Sequence, residues 1–332
     1  MATIELGLGL FPTESPSRMV DMTRQAEELG YAYVWMGDSQ AIWREVYVNL
    51  GAAAMATKRV VLGTGVTNPV TRHLSVTASA LATLSELTGG RVALGIGAGD
   101  SAVETIGHQP ARLASLASAI RTLRRLFAGE SVPLEQGAMR LDWVTPQPIS
   151  MFIGASGPRL LRLAGQMADG AIILVGTAPE YLQGALACIE AGAREVDRDL
   201  QADGFKTICW TPCAISDDGR AARQHVKAHV ARVLKRPLPF ALSADDQQVV
   251  AQIYQQYEYY QHMVVGAAHS DVVPDRMVPK FAIAGTIDEC RDQVRQLVAT
   301  GIDQVAIIPH TLDPRDRPAL IRTFAEKVMA QV

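Results

Sequence analysis

Apolar positions recur along most of the chain in two alternating rhythms, a short dense run and then a longer stretch at helical spacing. Ile4 to Leu10 sets apolar side chains between small ones and stops at Phe11-Pro12, which predicts a buried strand entering a loop. Met19, Val20, Met22, Ala26 and Leu29 follow at helical spacing, with Ser17 as the candidate cap and Gly30 as the terminator. The beat repeats as a strand from Tyr33 to Met36, a helix over 46–56, a strand from Val60 to Val66, a helix over 72–87 closed by Gly89-Gly90, and a strand from Arg91 to Ile96. After a helix over about 110–128, residues 130–148 read as an irregular excursion with room for a small hairpin.

The rhythm then resumes. Strands are predicted at Ser150 to Gly154, Gly170 to Val175 and Lys206 to Ile215, with helices from Pro158 to Met167 and from Pro179 to Val196. Residues 217–280 are more polar and mostly helical, broken by Pro237, Pro239 and Pro274, and read as an insertion. A helix over 286–299, a strand from Gln304 to Ile308 and a helix over 315–330 complete the pattern. Eight strands alternating with helices predict parallel pairing, either closed as a (β/α)8 TIM barrel or open and doubly wound, and the number eight favours the barrel. The 332 residues are then one domain, 1–332, with 217–280 and 130–148 holding what exceeds a minimal barrel.

Composition narrows the function classes. Hydrophobic residues at 48% and charged residues at 20% are those of a globular chain with a large core. A formal net charge of −3 provides no general field for nucleic acid or anionic lipid, so neither is expected as a partner. The four cysteines, Cys188, Cys209, Cys213 and Cys290, contain no C-x-x-C pair and read as ordinary buried thiols, which fits a reducing cytoplasmic setting. The opening MATIELGLGLFP lacks the features of a secretory signal, and no apolar run reaches the ~20 residues that span a bilayer.

In a parallel barrel the chemistry sits in the loops after the strands. The second strand is followed by Asp38, then Trp43, Arg44 and Glu45; the third by Gly65-Val66-Thr67-Asn68, then Arg72-His73; the fourth by Gly99-Asp100. Read alone, Asp38 and Asp100 are caps or loop carboxylates held by backbone N–H groups. The fifth strand ends in Gly154-Ala155-Ser156-Gly157 before Pro158, the composition of a helix N-terminus that accepts an anion. The next ends in Val175-Gly176-Thr177, where Thr177 is a candidate cap beside the same anion. The run Gly95-x-Gly97-x-Gly99 lacks the dinucleotide spacing. His225 and His229 stand four apart on a helix, but AARQHVKAHVAR reads as a solvated face, and no metal site is expected. Tyr254, Tyr257, Tyr259 and Tyr260 crowd the insertion, as pocket lining, as packing or as an oligomer contact.

The run Gly63 to Pro69, the stretch ALATLSELTGGRVALGIGAGD at 80–100 and GASGPRLLRLAGQMADGAI at 154–172 resemble the bacterial-luciferase-like superfamily, and within it the methylenetetrahydromethanopterin reductase group that uses coenzyme F420. The resemblance implies a TIM barrel with an insertion before the last strand. It implies a cis peptide at Gly65-Val66 beneath the cofactor ring, ring contacts from Asp38, Thr67, Asn68 and Asp100, and a phosphate on Gly154–Gly157 and Val175–Thr177. Asp38 or Asp100 would orient or protonate a small-molecule substrate, while Trp43 and Arg44 close the pocket. Where the group carries a glutamate and a histidine, this chain has Gly9 and Ser39. The resemblance therefore leaves three functions open: F420-dependent hydride transfer, an FMN-dependent monooxygenase supplied by a separate flavin reductase, or a non-catalytic flavin-binding barrel. It also implies a homodimer or higher oligomer, with Val48, Leu50, Leu81 and Leu84 as candidate contacts.

Overall fold

The computed structural model describes residues 4–261 and 263–332. Eight parallel strands close into a barrel: β1 (Glu5–Leu10), β2 (Tyr33–Met36), β3 (Val61–Thr64), β4 (Val92–Ile96), β5 (Ser150–Ala155), β6 (Gly170–Ile173), β7 (Lys206–Ile215) and β8 (Gln304–Pro309). Closure is direct, because β8 pairs both with β7 and with β1, where Glu5 stands opposite Gln304. The expected barrel is therefore the observed one.

The barrel has an inner and an outer core. The outer shell packs helices on strands through residues such as Met19, Leu50, Leu81, Leu123 and Leu182. Inside, Trp35, Phe152, Ile208 and Trp210 fill the lumen. Trp35 fits because β3 has a glycine beside it: a Cβ on Gly63 would lie 2.5 Å from its ring. Its indole N–H donates to Gln304 Oε1 at 3.0 Å, and Lys206 and Glu5 pair at 2.6 Å at the amino end. The lumen is thus filled below by side chains, and in parallel barrels the chemistry sits at the carboxyl end.

Several expectations shift. The first helix, Pro16–Glu28, is capped by Ser15, not Ser17, because Pro16 supplies the first helical residue and moves the start forward. Just after the insertion comes an unexpected strand, Ile283–Gly285, which pairs with the far end of the long β7 and is too short to show periodicity. The excursion does form a hairpin, of Val132–Pro133 with Ala138–Met139. The helix Gly219–Leu234 is no solvated face: Val226, Ala228, His229, Val230 and Ala231 are buried. Leu50, Leu81 and Leu84 belong to the core, whereas Val48 is exposed, as are Met55, Val76 and Leu87 on the same two helices. Among the described residues, no helix is long and apolar enough to cross a membrane.

Candidate active site

The carboxyl ends of the strands open into a cleft of about 890 Å³. After β3 the chain passes through a cis peptide bond between Gly65 and Val66. The strand ladder resumes beyond it, with Thr67 N–H donating to Gly95 O and Gly97 N–H to Thr67 O, each at 2.9 Å. The Val66 side chain spreads over the neighbouring strand ends, where a Cβ on Gly154 or Gly97 would come within 3.0 or 3.1 Å of it. Glycines there leave a shallow shelf that any side chain would crowd. Trp210 completes the floor. A Cβ on Gly65 would meet its ring at 2.8 Å and one on Gly9 at 2.7 Å, so the space above Gly9 is already taken by an indole.

Asp38 lies beside this floor, 6% exposed. It accepts from Thr67 Oγ1 at 2.7 Å, and its two oxygens accept from Arg72 at 2.6 and 3.1 Å. Arg72 also donates to Glu45 at 2.9 Å and lies over the Tyr47 ring. Burial pushes the Tyr47 hydroxyl up to about 12, with the Asp38 charge adding to it. A carboxylate bound on both oxygens orients its neighbours. Asn68 spends Oδ1 on the N–H groups of Val70 and Thr71, both at 2.9 Å, so its amide nitrogen is what it can offer a ligand.

The outer half of the cleft is cationic. Gly154, Ser156 and Gly157 line it at the start of the helix Pro158–Met167, whose N-cap Gly157 makes no side-chain capping bond. Arg112 and Arg159 stand nearby, and Arg232, Lys235 and Arg236 come from the insertion. Asp100 accepts from Arg236 and lies 3.6 Å from Arg232. Tyr259 donates to Glu104 and accepts from Lys235, whose ammonium lies 4.6 and 4.1 Å from the Tyr257 and Tyr259 rings. Burial first, and then nearby carboxylates, raise both tyrosine hydroxyls well above their usual range. Together the cleft sets five cations against three carboxylates, a surround for an anionic group.

The structure brings Asp38, Trp43, Gly65 to Asn68, Asp100, Gly154, Ser156 and Gly157 to one cleft. Ala155 is buried within its strand, with its carbonyl taken by Leu174 N–H. Arg44 does not close the pocket: its guanidinium donates to the carbonyl of Thr13 at 2.7 Å and ties two loops together. Val175, Gly176 and Thr177 are not among the residues that line this cleft. The N–H groups of Thr177 and Ala178 donate to Lys280 O at 2.8 and 3.1 Å, Thr177 Oγ1 donates to Pro279 O, and the helix is capped at Ala178. The chain just after the insertion thus takes up the N–H groups that the sequence offered to an anion. The sequence placed Arg72 in the loop after the third strand without giving it a role, and it missed Trp210 and the cations at 232, 235 and 236, although three cations spaced three and four apart mark one face of a helix end.

A barrel with this shelf, this cationic rim and a cis bond at Gly65-Val66 belongs to a recognisable class, flavin-type barrel oxidoreductases. The family model described as luciferase-like monooxygenase matches residues 1–304, and the chain belongs to that family. The 5,10-methylenetetrahydromethanopterin reductase of Methanolobus tindarius is 30% identical over 314 residues, 90% of this chain and 92% of that one. An F420-dependent glucose-6-phosphate dehydrogenase of Nakamurella multipartita is 34% identical over 239 residues, 66% of this chain and 70% of its own. Among solved structures, the coenzyme F420-dependent tetrahydromethanopterin reductase of Methanopyrus kandleri superposes with a TM-score of 0.78 at 25% identity, covering 99% of both chains.

Proposed function

We propose that this chain is a coenzyme F420-dependent oxidoreductase that moves a hydride between the deazaflavin and a small organic substrate. The observation that carries the reading is the continuity of one cleft, from the Val66 shelf beside Asp38 and Trp43 to the Gly157 helix start beside Arg159. A flat ring with a phosphate-bearing tail needs those two ends at once. The relatives named for F420 support the choice of deazaflavin. When bound, the cofactor supplies the hydride acceptor or donor.

The protein's own residues do the rest. Val66 and the glycines at 97 and 154 support the ring face, and Asn68 offers an amide N–H at its edge. The helix start at Gly157, with Arg159 and Arg112, holds the phosphate. Asp38 orients Thr67 and Arg72 around the ring end, and Trp43 with Phe11 keeps water from it, packed at 4.5 Å between ring centroids.

A second reading, an FMN-dependent monooxygenase served by a separate reductase, has one specific observation in its favour. Gly9 and Ser39 bring no acid to the ring end, and Asp38 and Asp100 both sit in ion pairs. Titration with F420 and with FMN, followed by turnover with and without oxygen, separates the two. Tight binding of F420 and oxygen-independent turnover support the first; selective FMN binding and an absolute oxygen requirement support the second. A folded sample that binds neither cofactor makes the chain a non-catalytic barrel. The same reading expects a homodimer or higher oligomer, which sedimentation measures.

A further inference from the structure

Arg232 stands in the last turn of the helix Gly219–Leu234, four residues before Arg236, and lines the cleft. Beyond that helix end Pro237 lies over the phosphate end, where a Cβ on Gly157 would come within 3.1 Å of it. Arg232 serves the other end. Its guanidinium carbon lies 5.9 Å from the centre of the Phe11 ring, and Phe11 packs on Trp43 and, edge-on at 6.3 Å, on Trp210 of the floor. The side chain is only 12% exposed. Even so, its Nε is buried with no hydrogen-bond partner. Among the described residues one carboxylate comes within 4 Å of it, Asp100, whose Oδ2 lies 3.6 Å from Arg232 Nη2, outside hydrogen-bond distance, and already accepts from Arg236. Two guanidiniums thus face one carboxylate. Burial first, and then the Arg236 charge, lower Arg232 from its ordinary value, as befits a cation short of counter-charge. Burying a guanidinium without its hydrogen bonds is costly, and its fork of N–H groups matches the paired oxygens of a carboxylate or phosphate.

We propose that Arg232 anchors the substrate through an anionic group, a carboxylate or a phosphate, while the apolar remainder of the molecule lies along Phe11 and Trp43 towards the Val66 shelf. The substrate class is then an organic anion, not a neutral alcohol or ketone. The cofactor phosphate has its own place at the Gly157 helix start beside Arg159, so different groups read the two anions. The inference rests on the F420 reading only for which ring the substrate meets, and its test can fail separately. The competing account is that Arg232 merely braces Asp100 and Phe11, in which case it gives an added anion no affinity.

The probes are benzoate and phenyl phosphate, with neutral benzamide beside them, titrated into the full-length protein saturated with F420 and followed by saturation-transfer NMR. An anion is expected to bind and benzamide not to compete with it, and the tighter of the two anions tells carboxylate from phosphate. R232Q is expected to weaken that anion about tenfold or more, and R232K, which keeps the charge without the fork, by a few-fold, while F420 affinity, read from its own absorbance, stays unchanged. The bound anion is also expected to raise the denaturant midpoint of the parent protein but not that of R232Q, a shift that a bracing role would leave equal in both. The proposal is overturned if neither anion binds, if benzamide displaces the anion, if both variants bind it normally, or if R232Q weakens F420 as much as the anion, which would make the anion the cofactor's own. Should F420 itself fail to bind, the functional reading falls, and titration of the ligand-free parent against R232Q and R232K decides the anchor alone.

Discussion

Asp38 and Arg72 meet through two hydrogen bonds, 2.6 and 3.1 Å, with the Asp38 side chain almost fully buried at the edge of the cleft. Removing one partner leaves the other without its counterion in a poorly solvated place. D38N is therefore expected to lose roughly 2–4 kcal/mol of stability and most of its turnover, with cofactor affinity less affected. The double variant D38N/R72M is expected to regain stability but not turnover, read by denaturant unfolding beside steady-state kinetics. Normal turnover in D38N would remove Asp38 from the working site.

Arg159 is exposed at the start of the helix that faces the cleft. As a phosphate partner it should contribute about 1–2 kcal/mol to cofactor binding and act through a salt-screened interaction. R159A is expected to bind F420 about tenfold more weakly, with a flatter dependence of affinity on salt than the parent protein. Unaltered affinity and salt dependence would place the phosphate elsewhere.

His310 titrates at about 3 because burial disfavours its imidazolium, with Arg317 and two other basic side chains adding to the effect. Its folded value is lower than the unfolded one of about 6.5, so the unfolded chain binds more protons between those values. The contribution is fully present above pH 6.5 and is lost as pH falls towards 3, at up to about 1.4 kcal/mol per pH unit. H310Q should flatten the pH dependence of unfolding in that window. An identical slope in H310Q would assign the acid sensitivity to other groups.

Gly63 makes room for Trp35, whose ring would lie 2.5 Å from any Cβ at that position. Backbone flanks the same space, with Ala93 O at 3.1 Å, so relief is limited. G63A is expected to destabilise the barrel by about 2–3 kcal/mol, measured by denaturant unfolding. A neutral effect would mean that Trp35 can repack.

The barrel was legible because every barrel strand is an apolar run bounded by a helical period, as Tyr33 to Met36 and Gln304 to Pro309 show. Ile283–Gly285 was not, since three residues carry no period. In the site, Gly65-Val66 and the Gly154–Gly157 loop could be named because glycine marks positions where backbone must come close. Arg44 and Val175–Thr177 could not be excluded, because what occupies them arrives from Thr13 and Lys280, a tertiary contact with no local trace. Arg232 was read as solvated for the same reason: the polar spacing of its helix looks like a surface until Phe11 and Asp100 are placed against it.

Equilibrium titration of the purified protein with coenzyme F420 and, in parallel, with FMN tests the central reading most directly. The account predicts saturable F420 binding that G154V, a substitution onto the shelf where an added Cβ would lie 3.0 Å from Val66, weakens by about tenfold or more, with FMN bound more weakly. Selective FMN binding, or F420 binding indifferent to a side chain at 154, would contradict it.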